Sequence, residues 1–123
     1  ISGRFGFPLR SAYSASKHAL HGFFETLYLE NKINNIRSSV IIPGRVRTAI
    51  SMHALNSEGK EHGKLDDGQA KGITAEKAAE TIIRGIKRNK REILVGGGEL
   101  MMLHIRRYLP WLFFRIADKI EST

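Results

Sequence analysis

The chain has 123 residues, of which 41% are hydrophobic and 26% are charged, and its formal net charge is +8. This length allows one domain with a hydrophobic core, and the composition is that of a globular protein rather than a disordered one. The absence of cysteine excludes disulfides, thiolate nucleophiles and cysteine-ligated metal sites.

The first predicted elements are a loop, a long helix and a short strand. Residues 1–10 carry two glycines and a proline, which favour a loop. Ser11 is expected to cap a helix from about Ala12 to Lys32, because apolar residues recur there at intervals of three and four. The β-rich run "SSVII" predicts a strand from Ser38 to Ile42, ended by a proline and a glycine.

The second half of the chain predicts a long loop, a helix, a strand and a helical end. The segment 49–73 has no sustained period, and a loop of this length is often a lid or a binding loop. Thr74 is expected to cap the second helix, whose apolar stripe is Ala75, Ala78, Ala79, Ile82, Ile83 and Ile86. Glu92 to Val95 predicts a strand, and residues 99–123 predict a C-terminal helical extension broken near Pro110. This alternation of helices and strands predicts an α/β fold with a parallel sheet in a single domain, 1–123.

The pattern Tyr-x-x-x-Lys occurs twice in the first predicted helix. Tyr13 pairs with Lys17, and Tyr28 pairs with Lys32. On a helix this spacing places an ammonium group beside a phenol, so either pair is compatible with chemistry. A neighbouring positive charge favours the phenolate, which suits proton transfer to or from the oxygen of an alcohol or a carbonyl.

Topology separates the two pairs. Ligands of open α/β sheets gather at the carboxyl ends of the strands, and a helix that follows a strand starts at that edge. Tyr28 lies ~22 Å farther along the helix axis than Tyr13, at ~1.5 Å per residue. We therefore expect Tyr13 and Lys17 to share a site with the residues that follow strand 38–42, and Tyr28 to be a partly packed tyrosine with a solvated lysine nearby.

The motifs on either side of Tyr13 are more specific than the Tyr-x-x-x-Lys spacing alone. "YSASKHAL" is followed by "IIPGRVRT" and preceded by "GRFGFP". This combination resembles the short-chain dehydrogenase/reductase family, whose Tyr-x-x-x-Lys helix precedes a strand ending in Pro-Gly-x-Val-x-Thr and follows a Gly-x-x-x-x-Pro loop. The resemblance covers residues 3 to 48. It implies a doubly wound parallel sheet of the Rossmann-like type, of which this chain would supply the C-terminal half.

The resemblance also implies a role for each matching residue. Tyr13 would be the catalytic proton donor and acceptor, and Lys17 would hydrogen-bond the nicotinamide ribose and favour the ionised tyrosine. The backbone near Val46 would meet the carboxamide, and Thr48 would lie close to the pyrophosphate. The cofactor would be NAD or NADP, which the sequence does not distinguish. The nicotinamide side would be lined by Pro43, Gly44, Val46 and Thr48.

Two features of the family have no counterpart in this sequence. Its dinucleotide fingerprint, Gly-x-x-x-Gly-x-Gly, and its catalytic serine are both expected upstream of Ile1, and Ser2 is off register and is interpreted as a loop serine. We therefore expect the chain to be the C-terminal half of an oxidoreductase and to be inactive by itself. The resemblance further implies a small-molecule alcohol or carbonyl substrate and a homodimer or homotetramer built on the tyrosine-bearing helix.

Three other patterns were weighed as sites. Gly96 to Gly98 follow a strand and precede a helix, but they lack the spacing of a phosphate loop and are interpreted as a connector. His18 and His21, or His53 and His62, lack a third ligand at a recognisable spacing, so no metal site is expected.

The C-terminal segment leaves alternatives open. Residues 100–120 interleave apolar and aromatic side chains with arginines, a composition suited either to peripheral contact with a membrane or to covering a substrate pocket or a partner subunit. The expected location is therefore cytoplasmic or membrane-associated. The alternative function is a non-catalytic basic module that binds nucleic acid or an anionic membrane surface, whereas the enzyme hypothesis expects no nucleic-acid partner.

Overall fold

A computed structural model describes residues 1–48, 59 and 70–119 of the chain. Most of the predicted lid, 49–73, lies outside the described residues. The helices are α1 (Ser11–Glu30), α2 (Ala75–Lys87), α3 (Met101–Tyr108) and α4 (Pro110–Ala117), and the strands are β1 (Val40–Pro43) and β2 (Glu92–Val95). Short 3₁₀ turns occupy Lys32–Asn34 and Gly98–Leu100.

The two strands form a parallel sheet joined by the crossover helix α2. Ile41 lies opposite Ile93, and Pro43 lies opposite Val95, so both strands end at the same edge. The Gly44 amide extends the ladder by donating to the Val95 carbonyl at 2.7 Å. The α/β fold with parallel strands that the sequence predicts is therefore present, and the arrangement is consistent with part of a Rossmann-like sheet.

Helix α2 covers the sheet through a small apolar core. Ala78, Ile93 and Val95 are buried together. The predicted cap is confirmed, because the Thr74 hydroxyl accepts a hydrogen bond from the Lys77 amide at 3.3 Å. Only part of the predicted stripe is packed. Ile83 and the other residues on the outer side of α2 remain exposed in the described part of the chain.

The boundaries of the first helix correct two predictions. Ser11 is the first helical residue rather than the cap, since Arg10 occupies the cap position and makes no side-chain capping bond. The helix ends at Glu30, so Lys32 lies in the following 3₁₀ turn and does not face Tyr28 from the same helix.

The first strand begins two residues later than predicted, and serine hydroxyls hold the chain before it. Ser38 donates to the Phe24 carbonyl of α1, and Ser39 donates to the Lys90 carbonyl before β2, both at 2.8 Å. These bonds attach the entry of β1 to its neighbours on two sides. Helix α1 therefore packs beside β1.

The C-terminal extension consists of two short helices, as predicted. Leu109 separates α3 from α4, and Pro110 opens α4 at a position where its missing amide costs nothing. Phe113 anchors α4 because its ring, 2% exposed, meets the ring of Phe5 edge-on at 4.9 Å between centroids. Within the described ranges, no helix combines the length and the apolar character needed to cross a membrane.

Candidate active site

Tyr13 and Lys17 lie in the first two turns of α1. The Lys17 ammonium nitrogen is 5.3 Å from the centroid of the Tyr13 ring, so the predicted neighbourhood of cation and phenol is present. The Tyr13 side chain is 49% exposed and is therefore accessible to a small molecule. The Ser16 hydroxyl donates to the Tyr13 carbonyl at 2.7 Å, within the same turn of the helix.

A glycine brings the preceding loop against this helix. A Cβ atom at Gly3 would lie 2.9 Å from the Lys17 carbonyl oxygen and 3.0 Å from the Nε2 atom of His21. Only a residue without a side chain allows this approach. The first glycine of "GRFGFP" thus fixes the path of the loop beside the tyrosine-bearing helix.

The second Tyr-x-x-x-Lys pair has a different environment. The Arg91 guanidinium carbon lies 5.8 Å from the centroid of the Tyr28 ring, while Lys32 is exposed in the turn that follows α1. Tyr28 lines a groove of about 710 Å³ together with Phe24 and Val40. This groove lies at the amino ends of the strands, opposite the edge at which they end.

The residues predicted to line the cofactor lie at the end of β1 and in the loop that follows it. Val46 makes an isolated parallel bridge with Ile73. The Arg47 amide donates to the Ile73 carbonyl at 2.8 Å, and the Ile73 amide donates to the Arg45 carbonyl at 3.0 Å. The backbone at Ile73 therefore pairs with this loop and holds it.

Glu99 joins this edge of the sheet, and the sequence analysis missed it. Its Oε1 atom accepts hydrogen bonds from the amides of Arg45, at 2.7 Å, and Gly97, at 3.1 Å. Gly44 and Gly96 make room for the carboxylate, since a Cβ atom at either position would collide with Oε1. The topology of the chain could have pointed to Glu99, because it follows β2 and the glycines after it, at the same edge of the sheet as Pro43.

The charge state of Glu99 follows from its contacts. Partial burial raises the pKa of this carboxyl group, but the hydrogen bonds from the amides of Arg45 and Gly97, with the Arg45 charge, outweigh burial. The net result is a pKa below the usual value. Glu99 is therefore an ionised acceptor near neutral pH.

A polar cluster lies apart from the tyrosine, between α1 and the start of β2. Ligand atoms of His21, Glu25 and Glu92 lie within 4.8 Å of one another. Glu92 also forms a salt bridge with the Arg4 guanidinium. A metal ion would have to share Glu92 with that positive charge, so an ion-pair network explains the cluster better than a metal site.

The predicted site residues carry polar and charged groups. Tyr13 offers an exposed phenol, Lys17 offers an ammonium group, and Arg45 and Arg47 are exposed cations on the loop after β1. The tyrosine pair lies on α1, and the loop follows β1, the strand beside which α1 packs. Chemically, the arrangement provides one proton-transferring group and several positive charges.

Comparison with known proteins gives the same assignment as these motifs. A family model described as short chain dehydrogenase matches residues 1–59. The chain is 39% identical over 120 residues to a Drosophila melanogaster protein named dehydrogenase/reductase SDR family protein 7-like, covering 97% of this chain and 37% of that protein. It is 37% identical over 119 residues to the Xenopus laevis dehydrogenase/reductase SDR family member 7B, covering 96% and 37%.

A mammalian relative shows a similar degree of identity. The Mus musculus dehydrogenase/reductase SDR family member 7B is 38% identical over 117 residues, which cover 94% of this chain and 36% of that protein. The chain thus spans little more than a third of the length of these curated relatives. The family match at residues 1–59 contains the Tyr13 motif and the Pro-Gly loop, and the relatives extend the similarity over almost the whole chain. On this evidence the chain belongs to the short-chain dehydrogenase/reductase family.

Proposed function

We propose that the full-length protein containing this chain interconverts an alcohol and a carbonyl compound with NAD or NADP. The family is one of oxidoreductases that generally use these cofactors, and that coarser assignment holds for this chain. The observation that carries the finer proposal is the half-exposed phenol of Tyr13 beside the Lys17 ammonium. A nearby strand ends in the Pro-Gly-Arg-Val-Arg-Thr loop.

Tyr13 is the group that moves the proton. During oxidation its phenolate accepts the proton of the substrate hydroxyl while carbon loses hydride, and during reduction the phenol returns that proton to the carbonyl oxygen. Lys17 is the cation beside this phenol, with its ammonium nitrogen 5.3 Å from the centroid of the Tyr13 ring. The same ammonium group would hydrogen-bond the nicotinamide ribose.

The loop after β1 holds the cofactor side of the site. When bound, the nicotinamide supplies or accepts the hydride. Pro43 and Gly44 would lie against the ring, and the backbone near Val46 would bind the carboxamide. Thr48 would lie near the pyrophosphate, where the exposed guanidinium of Arg47 adds a positive charge.

Substitution of the two helix tyrosines tests this proposal. Tyr13→Phe in the full-length protein removes the proton-transferring oxygen and keeps the ring, so we expect kcat to fall ~100-fold or more, the range of general acid–base catalysis. Tyr28→Phe is the matched control, because it makes the same change in the same helix. The measurement is NADH or NADPH absorbance at 340 nm with a panel of alcohols and carbonyl compounds.

The control separates chemistry from folding. Tyr28→Phe should keep kcat within about two-fold of the wild type, since Tyr28 contacts Arg91 in the groove at the opposite edge. A Tyr13→Phe protein that folds and still turns over at a tenth of the wild-type rate or faster would overturn the proposal.

The partners of the enzyme are part of the same proposal. We propose a homodimer or homotetramer that uses α1, supported by the exposed apolar side chains of Leu20 and Phe23 on that helix. The proposed substrate is a small-molecule alcohol or carbonyl compound.

A second surface supports peripheral membrane contact. Exposed apolar side chains of α3 and α4 include Trp111, at 60%, and Phe114, at 53%. Trp111 lines a groove with Arg115, and the Arg106 guanidinium packs over the Phe114 ring. This combination favours an anionic lipid surface over nucleic acid, because aromatic side chains and cations share the face. A cytoplasmic location with such contact stays a prediction.

A further inference from the structure

The carboxylate of Glu99 sits between the ends of both strands. One oxygen, Oε1, accepts from the Arg45 amide on the loop after β1 and from the Gly97 amide on the loop after β2. Together with the backbone bond from the Gly44 amide to the Val95 carbonyl, these contacts fasten one loop to the other. Such a junction fixes where the backbone after Pro43 can lie.

The glycines around Glu99 show that the space is shaped for a carboxylate. A side chain at Gly44 or Gly96 would occupy the position of Oε1, and a Cβ atom at Gly96 would lie 3.3 Å from the Cα atom of Gly44. The two loops thus approach each other at glycines. Glu99 fills the gap that this approach leaves open.

We propose that Glu99 is a positioning residue of this enzyme, whose carboxylate holds the loop from Pro43 to Thr48 in its cofactor-binding geometry through the Arg45 amide. The inference rests on the proposed function, because it assigns that loop to the cofactor side. Glu99 itself does not touch the reacting atoms. It acts on cofactor affinity and on the alignment of the nicotinamide.

The geometry explains why an acceptor at this point matters. Without it, the Arg45 amide loses its acceptor, and the side-chain link between the loop after β1 and the loop after β2 is lost. The loop then samples positions in which the backbone near Val46 no longer matches the carboxamide. Cofactor binding would weaken more than the chemical step, since Tyr13 and Lys17 lie on a different element.

Three substitutions of Glu99 in the full-length protein test the proposal. Glu99→Ala removes the acceptor, and Glu99→Asp draws it back from the Arg45 amide, so both should raise the Kd of NADH or NADPH by about ten-fold. Glu99→Gln keeps an acceptor oxygen at the same reach and should stay within about three-fold of the wild type. The readout is a fluorescence titration with NADH and, separately, with NADPH, alongside kcat and KM.

Glu80→Ala is the matched control, because it removes an exposed glutamate from the outer side of α2. It should leave the Kd unchanged. If Glu99→Ala does not fold, the comparison of Glu99→Asp with Glu99→Gln decides the question. Equal Kd values for these two variants, or a Glu99→Ala protein that binds as tightly as Glu80→Ala, would overturn the inference.

The Tyr13→Phe variant keeps the two proposals distinguishable. When Tyr13→Phe abolishes turnover and the Glu99 variants bind the cofactor normally, the positioning role fails and the proposed function stands. When Tyr13→Phe leaves turnover intact, the proposed function fails. A selective loss of cofactor affinity in Glu99→Ala and Glu99→Asp, rescued in Glu99→Gln, supports the positioning role.

Discussion

Two tyrosines in one helix carry the same four-residue spacing to a lysine, and their surroundings decide what each can do. Tyr13 lies in the first turn, half-exposed, with the Lys17 ammonium beside its ring. Tyr28 lies in the last turns, where Arg91 approaches its ring and Lys32 has left the helix. A phenol next to a cation is therefore common to both, but only Tyr13 lies near the start of the helix, where ligands of such sheets gather.

The surroundings of His21 predict that the stability of the protein depends on pH. Burial lowers the pKa of His21, and the nearby Arg4 charge lowers it further, while Glu25 opposes and His18 adds to the shift. Glu92 Oε1 lies 3.8 Å from Nδ1, but that carboxylate already pairs with Arg4. The net result is a pKa of His21 below its ordinary value in the folded protein.

The sign of the effect follows from linkage. Because the folded pKa lies below the value in the unfolded chain, ~6.5, the contribution of His21 to stability is complete above that value and is lost as the pH falls toward the folded pKa. We expect the Tm to fall between about pH 7.5 and pH 5.5, and His21→Gln to reduce that fall. Thermal unfolding at both pH values measures it, with His104→Gln on α3 as the control. An unchanged fall in His21→Gln would contradict the prediction.

At the scale of elements, the contact of α2 with β2 depends on a glycine. A Cβ atom at Gly85 would lie 2.6 Å from side-chain carbons of Ile93, which is buried. Gly85→Ala gains ~1 kcal/mol of helix propensity but forces about 1–3 kcal/mol of overpacking against Ile93. We expect a net loss of stability and a Tm lower by a few degrees, measured by differential scanning calorimetry.

Gly22 is the matched control for this packing. It is also a helical glycine, in α1, but a Cβ atom there would meet nothing within 4 Å. Gly22→Ala should therefore stabilise the protein by about 0.5–1 kcal/mol, because alanine loses less backbone freedom on folding. If both substitutions raise the Tm equally, α2 does not pack on β2 through Gly85.

The elements also show which features a sequence can predict. α2 is capped by its own Thr74 and β2 is a compact run of β-forming residues, so the sequence predicts the start of α2 and both ends of β2. The start of β1 was misplaced because Ser38 and Ser39 bond to distant carbonyls. Local patterns carry no information on such bonds.

The candidate site also contains contacts that the sequence predicts and contacts that it does not. Tyr13 and Lys17 are neighbours on one helix, so their proximity could be predicted, although their catalytic roles stay a prediction. Glu99 reaches Arg45, 54 residues earlier in the chain, and only the parallel register of β1 and β2 brings them together. Glu92 meets His21 for a similar reason. Contacts that depend on strand register escape an analysis of spacing.

At the scale of the whole molecule, the charge is unevenly distributed. Residues 100–117 contain three arginines and no acidic residue. Tyr108, Trp111 and Phe114 lie exposed on the same two helices. The Arg106 guanidinium packs over the ring of Phe114, with the guanidinium carbon 5.2 Å from the ring centroid. This combination of exposed apolar side chains and cations is the one expected of helices that lie at a lipid interface.

Vesicle binding tests this surface against the nucleic-acid alternative. The purified full-length protein should sediment with vesicles of phosphatidylcholine and phosphatidylserine, and Trp111→Ser should weaken that binding about ten-fold, because it removes an aromatic side chain worth ~1.5–3 kcal/mol when buried. Ile33→Ser is the control, since Ile33 is 92% exposed but lies outside α3 and α4. Equal binding by the two variants would contradict membrane contact through this face. Binding to a random DNA duplex that falls steeply with salt, and that Trp111→Ser leaves unchanged, would favour the nucleic-acid alternative because phosphate contacts depend on charge.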